Sequence, residues 1–186
     1  PVSSALRKPH RNARRVFEFS RRISGSRHGG RGSWAAAHQR GSRSRMSSGP
    51  GKTMCALVKR RYGYNIEIGE NFFANHNTVI LDGAKVTFGD NVFIAPDCGF
   101  HTAGHPIDFE RRSRGLEYAY PITVGSNVWI GAGVPIMHGV TIGSNVVIGG
   151  GSVVVKDIPD NSVAVENPCR VIRAITEEDQ KTCWDR

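Results

Sequence analysis

The sequence predicts an all-β fold, a parallel β-helix of six-residue repeats with one long excursion loop and a largely disordered basic N-terminal segment. Three observations support this class. From Val124 onward the chain divides into groups of six residues, and eleven of the twelve first and fifth positions, all at even numbers, are Val or Ile. The 23 residues between Phe100 and Val124 interrupt this repeat without changing its phase. A period of two indicates strands, and strands that turn after every six residues indicate a coil.

The N-terminal segment differs from the rest of the chain in composition. Residues 1–53 hold 13 Lys or Arg against one acid, Glu18, and they contain few aliphatic residues. Such a segment cannot bury enough apolar surface to offset its ordering entropy. We therefore predict a disordered leader over residues 1–56. An organelle transit peptide and a nucleic-acid-binding arm have the same composition, so both stay open as alternatives.

Charge and cysteine usage limit the function of the remaining chain. Residues 54–186 carry 12 Lys or Arg and 15 Asp or Glu, so the basic excess belongs to the leader and we expect no nucleic-acid partner. No run of 18 apolar residues occurs, so we expect no membrane span. The four cysteines form no CxxC pair, which favours reduced thiols and a cytoplasmic location, with organelle import by the leader as the alternative.

The repeat gives an explicit list of core residues. Cut from Val124, the chain becomes VGSNVW, IGAGVP, IMHGVT, IGSNVV, IGGGSV and VVKDIP. The first and fifth positions of each hexad should point inward, and they are Val124, Val128, Ile130, Val134, Ile136, Val140, Ile142, Val146, Ile148, Ser152, Val154 and Ile158. The third positions are mostly small or polar and predict corners. The glycines at 125, 131, 143 and 149 lie beside these corners, where positive φ or low bulk is useful. Three hexads should complete one triangular turn.

The same phase continues upstream. Phe88, Ile94 and Phe100 precede Val124 by multiples of six. The hexad IGENFF, from Ile68, is out of phase by two, so we predict a short insertion near LDGAK. These limits give a β-helix domain over residues 57–174, a loop over residues 101–121 without regular elements, and a C-terminal tail over residues 175–186.

The loop carries the candidate chemistry. His105 lies between Gly104 and Pro106, a setting that would hold its side chain in place, and it is a candidate general base, with Glu117 or Asp108 to orient it. A solvated surface histidine is the plain alternative. A metal site could use Cys98, His101 and His105, but Gly104 and Pro106 oppose the helix that would align the two histidines, so we expect no metal.

Several long motifs carry a family resemblance over about residues 62–174. The stretches YGYNIEIGENFFANHNTVILD, GDNVFIAPDCGFHTAGHPID, GLEYAYPITVGSNVWIGAGVPIMHGVTIG and VVKDIPDNSVAVENPCRVIR closely resemble the maltose and galactoside O-acetyltransferases, members of the hexapeptide-repeat acyltransferase superfamily. The resemblance implies a left-handed parallel β-helix, a homotrimer, acetyl-CoA as co-substrate and a sugar hydroxyl as acceptor.

The resemblance also implies site residues, position by position. It makes His105 the general base, with Glu117 beside it, and Asn75 a contact of the acceptor. On the donor side it implies contacts from Trp129 and Ala132 to the pantetheine arm, close backbone approach at Gly150, and charges towards the nucleotide from Lys156, Arg170 and Arg173.

Three features depart from the family pattern. Arg60 and Arg61 stand where maltose-type enzymes have Cys-Asp, residues 1–56 show no helical segment with an acidic acceptor contact, and Glu166 stands where glycine is usual. A trimeric scaffold that lacks a complete acceptor site is therefore the first alternative function. A metal hydratase on the same coil is the second.

Overall fold

The computed structural model describes residues 59–181, so the predicted leader and the last five residues lie outside the described part. The described chain forms sixteen short strands, one α-helix and one 3-10 helix. In order they are β1 (Lys59–Arg60), β2 (Ile66–Ile68), β3 (Phe73–Ala74), β4 (Val79–Leu81), β5 (Val86–Phe88), β6 (Val92–Ile94), β7 (Gly99–His101), β8 (Ala103–Gly104), α1 (Phe109–Ser113), β9 (Tyr118–Ala119), β10 (Ile122–Val124), β11 (Val128–Ile130), β12 (Pro135–Met137), β13 (Thr141–Ile142), β14 (Val146–Ile148), β15 (Ser162–Val165), β16 (Arg170–Ala174) and the 3-10 helix Glu177–Gln180.

Successive strands enter three different sheets, as a triangular coil requires. Sheet A has the order β1-β4-β7-β12, sheet B the order β13-β10-β5-β2, and sheet C the order β16-β15-β14-β11-β6-β3. All pairs in these sheets are parallel except β15 with β16, which closes the C-terminal end as an antiparallel pair. The predicted parallel β-helix is confirmed.

The predicted core is also confirmed. All twelve inward positions from Val124 to Ile158 are buried, and Phe88, Ile94 and Phe100 each continue the inward column of a different sheet upstream. Like residues stack in register from coil to coil, as Val128 does on Val146 and Ile130 on Ile148. Each coil covers the apolar face of the next, because no single coil can bury its side chains alone.

The three edges of the prism differ in regularity. We name them by the sheets they join: edge AB, edge BC and edge CA. From sheet B to sheet C the step is six residues in every coil, from Ile68 to Ala74 in the first and from Ile158 to Ala164 in the last. From sheet C to sheet A it is again six, as from Ile130 to Ile136.

Edge AB takes up all the variation in coil length. Its step lengthens from six residues, Ile136 to Ile142, to eight between Ile80 and Phe88 and shortens to four between Val154 and Ile158. The eight-residue step confirms the predicted insertion at LDGAK. The excursion leaves the coil at this same edge.

Edge BC is held by a ladder of asparagines with positive φ. Asn71 donates to Asn91 (3.0 Å), Asn91 donates to Asn127 (2.9 Å), and Asn145 donates to Asn161 (2.9 Å). All five have φ between 54° and 59°, a region that Asn tolerates better than most residues. The glycines at this edge serve a different need, since a Cβ at Gly125 would lie 2.7 Å from the backbone of Gly143. Of the two reasons foreseen for these glycines, low bulk is the one observed.

The excursion has regular structure of its own, so the expectation of a loop without regular elements is wrong. β8 and β9 pair antiparallel at its base, and α1 lies at its tip. Asp108 caps α1 by accepting from the amide of Arg111 at 2.9 Å, a local signal that composition and repeat phase do not show.

In the described part of the chain no helix is long and apolar enough to cross a membrane. Cys98 and Cys169 are buried and unpaired, whereas Cys55 and Cys183 lie outside the described residues.

Candidate active site

The ribbon at the base of the excursion fixes where His105 lies. Gly104 pairs with Tyr118 across the ribbon, and His105 is the next residue, at the point where the strand ends. A Cβ on Gly104 would lie 2.8 Å from the Tyr118 ring, so a larger residue there would require the ring to move. The side chain of His105 is exposed.

One hydrogen bond sets the protonation pattern of the imidazole. Nδ1 of His105 lies 2.8 Å from the carbonyl oxygen of Leu116. A carbonyl can only accept, so in the neutral ring Nδ1 carries the proton and donates it to Leu116. Nε2 then holds the lone pair. A backbone carbonyl thus orients the ring in the role we expected of a carboxylate.

The two predicted orienting carboxylates have other partners. Oε1 of Glu117 accepts from Nη1 of Arg61 at 2.9 Å, in an ion pair that ties the first described turn of edge AB to the excursion. Partial burial alone would lower the pKa of Arg61, but the hydrogen bond and charge of Glu117 outweigh it and raise that pKa. Asp108 caps α1. Glu117 is adjacent to Leu116, whose carbonyl meets His105, so its ion pair with Arg61 lies beside the backbone that holds the candidate base.

An aromatic cluster that the sequence analysis missed supports the ribbon from the next coil. The Tyr118 hydroxyl lies 3.3 Å from Nε2 of His138, and their rings meet edge to face at 5.0 Å. Tyr120 packs on both rings. His138 occupies a corner position of its hexad, where mostly small or polar residues were expected. A large aromatic ring at that position was the sequence signal for this cluster.

The structure does not bring the three candidate metal ligands together. Cys98 lies at edge CA and its thiol donates to the carbonyl of Gly131 at 3.1 Å, while His101 belongs to sheet A. Burial lowers the pKa of His101 and raises that of Cys98. Within residues 59–181 no group of three or more His, Cys, Asp or Glu side chains is placed to hold a metal ion.

The predicted acceptor and pantetheine contacts lie along edge CA. Asn75 follows β3 there, and Ala132 and Gly150 occupy equivalent turns one coil apart. A Cβ at Gly150 would come within 3.2 Å of the carbonyl oxygen of Ala132. The demand for glycine at this position therefore already arises from packing within the chain.

Trp129 lies on the outer face of sheet C. It is flanked in register by Phe93 and Val147, and its side chain is 56% exposed. Phe93 is 50% exposed and packs against Phe73 at 6.3 Å. These residues form an exposed apolar row across the coils.

The predicted nucleotide contacts lie at the C-terminal end of the coil. Lys156 is exposed in the last turn of edge AB, and Arg170 and Arg173 are exposed on β16. Both arginines have carboxylate partners. Nη2 of Arg170 lies 2.5 Å from Oε2 of Glu166, and Arg173 makes two bonds, of 2.7 and 2.8 Å, to Asp179. The Arg173 bonds, together with the amide of Thr176, lower the pKa of Asp179 to about 2.

Six of the nine predicted site residues fall into two separate groups. His105, Glu117 and Lys156 lie at edge AB, whereas Asn75, Ala132 and Gly150 lie at edge CA, on the other side of sheet A. In a three-sided prism, sheet C, which carries Trp129, faces away from edge AB. One copy of the chain does not bring the candidate base beside the candidate pantetheine contacts at edge CA.

Comparison with known proteins agrees with this architecture. Residues 121–156 match the family model described as bacterial transferase hexapeptide (six repeats). The galactoside O-acetyltransferase of Escherichia coli is 56% identical over 119 residues, which cover 64% of this chain and 59% of that protein. The chain spans 56% to 62% of the length of the first curated relatives it matches.

Solved structures give the same result. A maltose O-acetyltransferase from Clostridium difficile 630 is 56% identical with a TM-score of 0.66, and the match covers 68% of this chain and 69% of that one. A galactoside acetyltransferase in complex with coenzyme A is 55% identical with a TM-score of 0.65, covering 66% and 62%. Their fold confirms the predicted left-handed coil. The chain belongs to the maltose and galactoside O-acetyltransferase family of hexapeptide-repeat acyltransferases.

Proposed function

We propose that this protein transfers an acetyl group from acetyl-CoA to a hydroxyl of a sugar such as maltose, glucose or a galactoside, with His105 as general base. Family membership supports the reaction class. The observation that carries the assignment of the base is the contact between Nδ1 of His105 and the carbonyl of Leu116. It leaves an exposed Nε2 able to accept a proton.

The chemistry requires a base of this kind. A sugar hydroxyl is a weak nucleophile at neutral pH, and general-base catalysis contributes roughly 10²- to 10⁴-fold to such reactions. As the hydroxyl oxygen attacks the thioester carbonyl, Nε2 takes its proton. Collapse of the tetrahedral adduct breaks the C–S bond, and the proton on His105 can then pass to the departing thiolate of CoA. No acetyl-enzyme forms on this route.

The acceptor side carries the main departure from the family pattern. Arg61 stands where a carboxylate is usual, but its charge is paired with Glu117. The pair supports the backbone beside the base and gives Arg61 a structural role. Asn75 stays our proposed contact to the acceptor.

We further propose that the working form is a homotrimer with each site formed between copies. The separation of edge AB from edge CA supports this, because one copy presents the base and another would present Asn75, Ala132 and Gly150. Cyclic assembly gives each base one donor edge.

The assay for the proposed reaction follows free thiol after acetyl-CoA is mixed with maltose, glucose or galactosides. We expect His105→Ala to lose about 10²- to 10⁴-fold in kcat. Arg114→Ala, an exposed substitution on the same excursion, is the matched control and should keep its activity. Equal rates for His105→Ala and the parent would overturn the assignment of the base. Coenzyme A binding with no thiol release from any acceptor would favour the scaffold alternative.

Complementation tests the shared site. His105→Ala and Asn75→Ala should each be weakly active alone, while random co-assembly should restore about a quarter of the parent's sites. Activity no higher than the two single variants would show that both residues act within one copy.

A further inference from the structure

We propose that Glu166 controls donor recognition by competing with a donor phosphate group for Arg170. This inference rests on the proposed use of CoA as donor. It assigns to Glu166 a role as a specificity-determining residue at the nucleotide end of the site.

The backbone of Glu166 is the first observation. Its φ is 84°, and the other non-glycine residues with positive φ among those described are all Asn or Asp. A long side chain is disfavoured in this region because its Cβ crowds the neighbouring backbone, and such outliers concentrate at functional sites. The family pattern has glycine here, which would remove this cost.

The surrounding hydrogen bonds hold Glu166 in that conformation. The amide of Val153 donates to the carbonyl of Glu166 at 3.1 Å, and the amide of Cys169 donates to the carbonyl of Val153 at 2.9 Å. The turn from β15 to β16 is therefore docked on the last coil at edge CA, and the side chain of Glu166 leaves it towards Arg170.

The charges supply the second observation. Oε2 of Glu166 lies 2.5 Å from Nη2 of Arg170, with the two side chains 48% and 70% exposed. A phosphate that approaches this guanidinium must displace the carboxylate or share the site with it. Because the pair is exposed, its strength is modest and displacement is feasible. Removal of the carboxylate should therefore improve phosphate binding about three- to fivefold.

The sequence position of the pair favours edge CA as the place of competition. Arg170 is in register with Val165, and a Cβ on Gly149 would lie 2.8 Å from Val165, so the pair lies beside the turn that contains Gly150. This is the proposed donor edge. The inferred ligand group is a phosphate monoester of the nucleotide, since a guanidinium binds that group through charge-assisted hydrogen bonds.

The experiment measures binding of adenosine 3′,5′-bisphosphate and of pantetheine by titration calorimetry. Two variants separate charge from backbone strain: Glu166→Gln removes only the charge, and Glu166→Gly removes both. Glu178→Gln is the matched control, because it removes a carboxylate from an exposed pair with Lys181 elsewhere in the C-terminal region. Arg170→Met, alone and combined with Glu166→Gln, completes a double-mutant cycle.

We expect Glu166→Gln to bind the bisphosphate about three- to fivefold more tightly than the parent. Pantetheine binding and the Glu178→Gln control should not change, and the gain should vanish in the background of Arg170→Met. Equal bisphosphate affinity of parent and Glu166→Gln, or no binding by either, overturns the inference. A gain in Glu166→Gly alone also overturns it, since that result would assign the effect to backbone conformation. Failure of the proposed function is a distinct outcome, the lack of thiol release from acetyl-CoA with every acceptor.

Discussion

Edge BC and edge AB are built from the same chain in the same coils, yet only one of them varies. Every turn of edge BC has the same length and holds an asparagine with positive φ, whereas edge AB ranges from a four-residue step to the whole excursion. This difference in length variation shows where a repetitive coil can accept functional residues. The register of all three sheets is preserved if length changes are confined to one edge, so the candidate base His105 can lie on an excursion there.

The residues at edge AB replace repetition with specific contacts. Asp82 is fully buried and accepts from the amides of Tyr62 (2.8 Å) and Gly63 (2.6 Å), while the hydroxyl of Thr102 accepts from the amide of Ala84. Each turn of edge AB is held by a different set of hydrogen bonds. A buried carboxylate that accepts backbone amides is well satisfied, so these turns are fixed without a ladder.

Matched two-residue deletions at the two edges should give the largest difference in folding between edge BC and edge AB. Removal of Ser126 and Asn127 shortens edge BC by two residues, removes one member of the asparagine ladder and moves Val128 into a corner position, so Val128 and Ile130 no longer stack on Val146 and Ile148. We expect loss of cooperative unfolding. Removal of Gly83 and Ala84 only brings the coil at edge AB to the regular spacing, so this variant should stay folded with a lower melting temperature. Circular dichroism melts measure both, and equal loss in the two variants would contradict the assignment of edge AB as the tolerant edge.

The asparagine ladder gives a graded test of edge BC. Asn127→Ala should lower the free energy of unfolding by about 1 to 3 kcal/mol, because alanine disfavours positive φ and the bond from Asn91 is lost. Asn127→Gly should cost less, since glycine accepts the same φ. Urea unfolding measures both variants. A larger loss in the glycine variant would show that φ is not what selects asparagine there.

Edge AB should respond in activity more than in stability. Arg61→Ala should change the free energy of unfolding by at most about 1 kcal/mol, because its pair with Glu117 is partly exposed. It should lower kcat several-fold by loosening Leu116 and the base, and Glu117→Ala should add little to the loss. Steady-state rates of both single variants and the double variant test this coupling. Additive losses would show that the two residues act independently.

His138 supplies the smallest expected effect. His138→Phe keeps the ring contacts with Tyr118 and Tyr120 but removes the partner of the Tyr118 hydroxyl. We expect a change in unfolding free energy of about 0.5 to 1.5 kcal/mol and a decrease in kcat of less than tenfold. Thermal melts and thiol-release rates check both values. A loss as large as that of His105→Ala would place His138 among the residues that contact substrate.

The amino-acid sequence alone determined the fold. The even-numbered hexad positions identified twelve buried residues, the hexad phase located the insertion at LDGAK, and the unbroken phase across residues 101–121 marked the excursion. These features are visible because strand alternation and coil stacking are local, periodic demands. The sequence also singled out His105, since it lies between glycine and proline where the repeat is interrupted.

The distribution of the candidate site residues over the edges of the prism is visible only in the tertiary structure. Residues far apart in sequence meet because coils stack, so the pairing of Arg61 with Glu117 and of Tyr118 with His138 leaves no periodic signal. Likewise, no pattern shows that Leu116 presents its carbonyl to His105, that Glu166 pairs with Arg170, or that the candidate base and the candidate pantetheine contacts lie on different edges. Periodicity fixes which way a side chain points in one coil. Which partner it meets depends on the turns, and these differ in length only at edge AB.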